Sequence, residues 1–184
     1  TPVNSERLQF IKDLIDLTRS LDDTRLISAA LEKHQKKGSD NIQVIEDPLA
    51  EYIDVLGLNE YIGWYSSTPS EISSVEWEIP YDKPLIVSEF GGGALHGLHG
   101  SADERWTEEF QEEIYRETTL MLEKIPQLSG VSPWILADFR SPRRTLPGIQ
   151  DGWNRKGLIS ETGNRKKAFW VLQEYYKKKA VQRR

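Results

Sequence analysis

Glu89 is the residue with the plainest chemical potential. It closes the apolar run Leu85-Ile86-Val87-Ser88 and is followed by Phe90 and by Gly91, Gly92 and Gly93. A carboxylate at a strand end can act as a nucleophile or a base, and equally as a cap for the next turn. The glycines predict close approach of backbone and substrate. Asn59, Tyr61, Trp64 and Tyr65 leave a second apolar run together. Tyr and Trp offer a flat apolar face with a polar handle, which suits a sugar and also suits an ordinary core. Trp134 can add a floor. Arg140, Arg143, Arg144, Arg155 and Lys156 crowd a late segment. A guanidinium or ammonium there can hold a substrate carboxylate, or form solvated ion pairs.

Other chemistries fail on residue type. A G-x-G-x-x-G match from Gly91 needs glycine where His96 stands, and no Gly-Lys-Ser/Thr follows, so neither phosphate-loop template applies. His34, His96 and His99 are the three histidines, with no H-E-x-x-H pattern and no cysteine, so no metal is expected. No G-x-S-x-G elbow supports a serine triad. The 24 basic against 29 acidic residues give a net charge of −5, which argues against nucleic acid as a partner. No apolar run approaches the roughly 20 residues that span a bilayer, so no membrane partner is expected. Lys177, Lys178 and Lys179 complement a helix C-terminus, and Glu108, Glu109, Glu112 and Glu113 read as an exposed helix face.

These residues need a scaffold. Apolar spacing at Leu8, Ile11, Leu14, Ile15 and Leu17, capped by Asn4 or Ser5, predicts a helix over 4–21. Helices are also predicted over 102–124 and 166–179, and a short one near 48–52. Strands are predicted at 25–31, 53–59, 84–89 and 131–139, with loops at 32–41, 66–80 and 140–158. Near-continuous apolar strands separated by helices or long connections predict a parallel α/β sheet. Chemistry in such folds sits at the carboxyl ends of strands. A length of 184 residues predicts one domain, over 1–184.

Several ordered blocks resemble one family. Ile86-Val87-Ser88-Glu89-Phe90-Gly91, then Gly97-Leu98-His99, then Trp106-Thr107-Glu108-Glu109-Phe110-Gln111 is similar to the nucleophile region of β-glucuronidases, of glycoside hydrolase family 2. The segment from Asp54 to Tyr65 resembles the family's strand six, and Trp134-Ile135-Leu136-Ala137-Asp138-Phe139 its strand eight. Asn154-Arg155-Lys156-Gly157 and Arg165-Lys166-Lys167-Ala168-Phe169 resemble its closing loop and last helix. The resemblance implies the C-terminal half of a (β/α)8 TIM barrel, about strands five to eight. Such a barrel takes about 250 residues in full.

By this resemblance Glu89 is the catalytic nucleophile and Tyr61 contacts it. Tyr65 lines the sugar site, Trp134 forms the sugar platform, and Asn59 stands among the substrate-binding residues. Asn154 and Lys156 match an N-x-K pair that holds the carboxylate of a hexuronic acid. The implied activity is retaining hydrolysis of a β-linked sugar, with no cofactor and a carbohydrate as partner. A neutral sugar of the β-galactosidase type, or a non-catalytic sugar-binding module, are the alternative readings. The family's acid/base glutamate lies in an Asn-Glu pair ending strand four, which precedes the helix over 4–21, so this sequence is expected to lack it. Asn59-Glu60 falls on strand six and departs from the usual basic residue after the asparagine, so Glu60 is not given that role. Open sheet edges predict a homo-oligomer, or association with the N-terminal part of the barrel.

Overall fold

The computed structural model describes residues 3–182. In chain order it contains α1 (Ser5–Leu21), β1 (Ser28–Ala30), β2 (His34–Gln35), β3 (Ile42–Val44), a 3-10 helix (Pro48–Glu51), β4 (Val55–Glu60), a second 3-10 helix (Pro69–Ser74), β5 (Glu76–Glu78), β6 (Leu85–Phe90), α2 (Glu108–Leu122), β7 (Leu128–Val131), β8 (Phe139–Arg140), β9 (Trp153–Asn154) and α3 (Lys167–Gln182). These fall into two units.

The first unit comprises Thr1–Asn59, Val75–Ser88 and Lys124–Val131. Its sheet runs β1-β4-β6-β7, with β1 and β4 parallel and β6 and β7 parallel. Strands laid down in chain order in a parallel sheet are the expected arrangement of part of a (β/α)8 barrel. Leu56, Leu58, Leu85 and Val87 are fully buried, each contributing about 2 kcal/mol. A Cβ at Gly57 would stand 2.5 Å from the Ala29 carbonyl oxygen, so the close approach of β1 to β4 requires glycine. Asn4 caps α1 by accepting the Arg7 N–H at 2.8 Å. Arg7 in turn forks onto Asp47 at 3.0 and 2.6 Å. Burial raises the Asp47 carboxyl, but Arg7 and the Glu32 and Leu49 N–H groups outweigh it and hold it below its ordinary value.

Several elements differ from the sequence expectation. On α1 only Ile15 is buried, while Leu14 and Leu17 remain 45% and 55% exposed. A second sheet, β2-β3-β5, lies partly in segments expected as loops. Its strands have two or three residues, too few to show a period of two. The strand expected over 131–139 ends at Val131. Pro133 has no N–H for a ladder, and the segment bonds elsewhere: Ile135 N–H to the Lys156 carbonyl (3.1 Å) and Leu158 N–H to the Ile135 carbonyl (3.0 Å).

The second unit comprises Glu60–Ser74, Glu89–Glu123 and Ser132–Arg184. It contains the aromatic segment, the glycine loop, α2 and α3. The expected helix over 102–124 begins only at Glu108. Trp106 has φ +77°, outside helical space, and Thr107 caps the helix by accepting the Phe110 N–H at 3.0 Å. The inner face of α2 buries Phe110, Ile114, Tyr115, Met121 and Leu122.

Candidate active site

Glu89, one residue from the end of β6, is the fixed point of the second unit. The Tyr61 hydroxyl donates to Glu89 Oε2 at 2.8 Å. Burial, then this bond to Glu89, push the Tyr61 phenol well above its ordinary value, so it stays protonated and remains a donor. Two glycines of the loop behind Glu89 pack closely against α2. Gly91 has φ +127°, and a Cβ there would collide with the Tyr115 hydroxyl of α2. A Cβ at Gly92 would meet Ile114 at 2.5 Å.

Lys156 reaches the same cluster from the segment after β9. Its ammonium donates to Tyr65 Oη at 3.1 Å and lies 3.8 Å from the centre of the Tyr61 ring, 4.5 Å from Tyr65 and 5.3 Å from Trp64. Burial lowers the Lys156 ammonium from its ordinary value, and the repulsion of Arg144 adds to this, while Tyr65 and Glu89 oppose it. For Tyr65, burial raises the phenol, but the bond from Lys156 outweighs it and the net shift is downward. Asn154 sets the local turn, its Oδ1 accepting the Lys156 N–H at 3.0 Å. Asn154 and Lys156 are both buried.

A cavity of about 140 Å³ opens among Trp64, Tyr65, Arg105, Arg144, Asn154 and Lys156. Arg105 stacks 3.8 Å over Trp64 and donates to the Trp64 carbonyl at 2.8 Å. Among the described residues no carboxylate pairs with Arg105, Arg144 or Lys156. Three cations without a direct ion-pair partner around one small cavity favour an anion there. Glu89, Tyr61, Tyr65, Asn154 and Lys156 are thus drawn together. Trp134 is tethered nearby by its N–H on the Phe90 carbonyl (2.9 Å), and its ring meets Phe139 edge-on at 6.2 Å. Asn59 belongs to the first unit, where its Oδ1 accepts the Ser88 hydroxyl at 2.8 Å. Glu60 is buried and its carboxylate caps the Ile62 N–H.

The charged helix face is not uniformly exposed. Glu108 is buried and accepts from the N–H groups of Gly97 (2.8 Å) and Lys167 (2.9 Å). His96 and His99 pair with Glu108 and Glu109 at 2.9 and 3.0 Å. Burial raises the Glu109 carboxyl, but Lys167, its own backbone N–H and His99 bring it down to about 2.

Beneath Lys156 lies a sealed ionic cluster that sequence reasoning missed. Lys166 is fully buried, and its ammonium donates to Asp138 at 2.8 and 3.0 Å, to the Ala94 carbonyl at 2.7 Å and to the Arg155 carbonyl at 3.2 Å. Asp138 also accepts the Gly157 N–H at 2.8 Å. Arg155 reaches Asp138 at 3.4 Å and Glu161 at 2.5 Å. Burial drives Lys166 down and Asp138 up, each opposed by the other's charge. The available signal was Asp138 itself, a carboxylate inside an apolar run, which demands a buried partner. Gln111 and Arg105 were missed as well, both ordinary polar residues by type and spacing.

The family described as glycosyl hydrolases family 2, TIM barrel domain, matches residues 4–181. The β-glucuronidase of Streptococcus agalactiae is 33% identical over 141 residues, covering 72% of this chain and 22% of the relative. That of Rattus norvegicus is 29% identical over 180 residues, covering 91% and 26%. The solved β-D-glucuronidase of Dictyoglomus thermophilum is 26% identical with a TM-score of 0.73, covering 95% of this chain and 30% of that one. The chain therefore spans about a quarter of the length of the curated relatives it matches. With its strand order and its match from residue 4 to residue 181, the chain belongs to glycosyl hydrolase family 2, as part of the TIM barrel domain.

Proposed function

We propose that the residues around Glu89 form the nucleophile side of a retaining glycosidase site for a terminal β-linked hexuronic acid. One observation carries this reading: a carboxylate held by Tyr61 shares a cluster with a buried ammonium, Lys156, that forms no direct ion pair among the described residues. The relatives named β-glucuronidase support the same choice of sugar. Glu89 attacks the anomeric carbon, the bond to the leaving oxygen breaks, and a glycosyl ester forms on Glu89. A second glutamate protonates that oxygen, then takes a proton from the water that cleaves the ester. Its expected position is the end of strand four of the barrel, ahead of α1 in a longer chain, with the two carboxyl groups about 5–5.5 Å apart. The sugar carboxylate sits against Lys156 and Asn154, with Arg144 on the same cavity wall.

The test is labelling with 2-deoxy-2-fluoroglycosyl fluorides, glucuronyl and galactosyl in parallel, followed by peptide mass spectrometry. Fluoride leaves without a strong acid, so the nucleophile is read separately from its partner. A glucuronyl adduct on Glu89, formed faster than the galactosyl one, is the expected result. An adduct on another residue removes Glu89 from the role, and a faster galactosyl adduct removes the hexuronate.

A further inference from the structure

We infer that Lys166, with Asp138, is a positioning residue that fixes Lys156 relative to Glu89 by tying the loop after Glu89 to the segment that carries Asn154 and Lys156. The inference rests on the reading of Lys156 as the ligand of the sugar carboxylate. It stands on where the buried bonds go. Lys166 donates to the carbonyl of Ala94, in the loop that leaves Glu89, and to that of Arg155, the residue before Lys156. Asp138 accepts the N–H of Gly157, the residue after Lys156. The Ala94 N–H also donates to the Arg155 carbonyl, at 2.9 Å. The peptide groups on both sides of Lys156 are therefore held by one ion pair.

A second buried side chain makes the same connection independently. Gln111 of α2 donates from Nε2 to the Gly92 carbonyl at 2.9 Å and to the Gly157 carbonyl at 3.1 Å. Lysine suits the first bridge because an ammonium has three donors and no acceptor, and here it meets two carbonyls and a carboxylate. The hydrogen bonds of Lys166 and Gln111 go to the Asp138 carboxylate and to backbone carbonyls, and to no side chain that lines the cavity. Their influence on a sugar would pass through backbone position alone. Misplacement of a binding group by about 1 Å can cost about 100-fold.

The experiment uses the full-length protein and two variants. Lys166→Met with Asp138→Leu removes both charges together, which avoids a lone buried ion. Gln111→Met removes only neutral hydrogen bonds and so carries the decision if the double variant does not fold. Readouts are the melting temperature, kcat and KM on p-nitrophenyl β-D-glucuronide and β-D-galactoside, and the acylation rate of the Lys156 amine by peptide mass spectrometry. The expected result is a glucuronide KM raised about 10-fold in the double variant and about threefold in Gln111→Met, with the galactoside KM unchanged. Lys156 is expected to acylate about fivefold faster in the folded double variant as its segment loosens. Wild-type glucuronide KM and acylation rate in a folded variant overturn the inference. If the wild-type protein cleaves no glucuronide but the variants acylate faster at Lys156, the hexuronate reading falls while the positioning role stands.

Discussion

Lys156 and Lys166 are two buried lysines ten positions apart, and they are spent differently. Lys166 meets four acceptor atoms within 3.2 Å, two of them on a carboxylate. Lys156 meets one, the Tyr65 oxygen, and otherwise faces aromatic rings. Burial lowers the ammonium of both, so each carries a desolvation cost. At Lys166 a carboxylate and two carbonyls oppose that cost inside the fold. At Lys156 a phenol, ring faces and the charge of Glu89 oppose it, with fewer acceptor atoms in reach and donors left over. The difference separates a lysine whose donors are filled within the fold from one that the proposed function assigns to a ligand, and it makes opposite demands on mutation.

The largest expected effect is on chemistry at Glu89. Glu89→Gln is expected to lower kcat on a glucuronide by at least about 1,000-fold, with the melting temperature unchanged, read by initial rates and thermal unfolding. Lys166→Met alone leaves the buried Asp138 carboxylate with only the Gly157 N–H and the longer Arg155 contact, and is expected to cost about 3 kcal/mol of stability in urea denaturation. Lys156→Ala is the counterpart: kcat/KM for a glucuronide is expected to fall about 10- to 100-fold, the galactoside value to hold, and stability to change by less than about 1 kcal/mol. Equal losses on both sugars would erase the contrast between the lysines. The smallest effect concerns pH. Glu109 has its folded value depressed to about 2 from an ordinary 4.5, so its contribution is present above about 4.5 and lost as pH falls toward 2. Because the pair is partly exposed, that contribution is expected below about 1 kcal/mol. It is read as the difference in urea midpoint between wild type and Glu109→Gln at pH about 6 and about 3.

Much of this was legible in residue order, because local signals and position in the fold agree there. Apolar runs placed β4 and β6, and the strand-end rule led to Glu89 without a structure. Tyr61, Tyr65 and Lys156 stood out by type and by the blocks around them. The supporting cluster did not. Lys166 lies in the basic stretch Arg165-Lys166-Lys167, lysine being a residue type seldom fully buried, and only tertiary packing decides that the middle residue is the buried one. Glu108 misled for the same reason: its burial depends on the Gly97 and Lys167 N–H groups, which helical periodicity does not reveal. The shortened start of α2 turns on the positive φ of Trp106, a conformation that residue type does not announce.

The span of the bonds has a consequence for how the site comes into being. Tyr61 and Glu89 are 28 positions apart, whereas Tyr65 and Lys156 are 91 apart and Ala94 and Lys166 are 72 apart. Loop closure costs more for longer separations, and a ribosome delivers the chain from its N-terminus. A nascent chain halted after the glycine loop therefore already holds the carboxylate and the phenol that meets it, but not the cation. Of these three groups the cation arrives last during synthesis, and the buried lysine that ties its segment in place arrives later still.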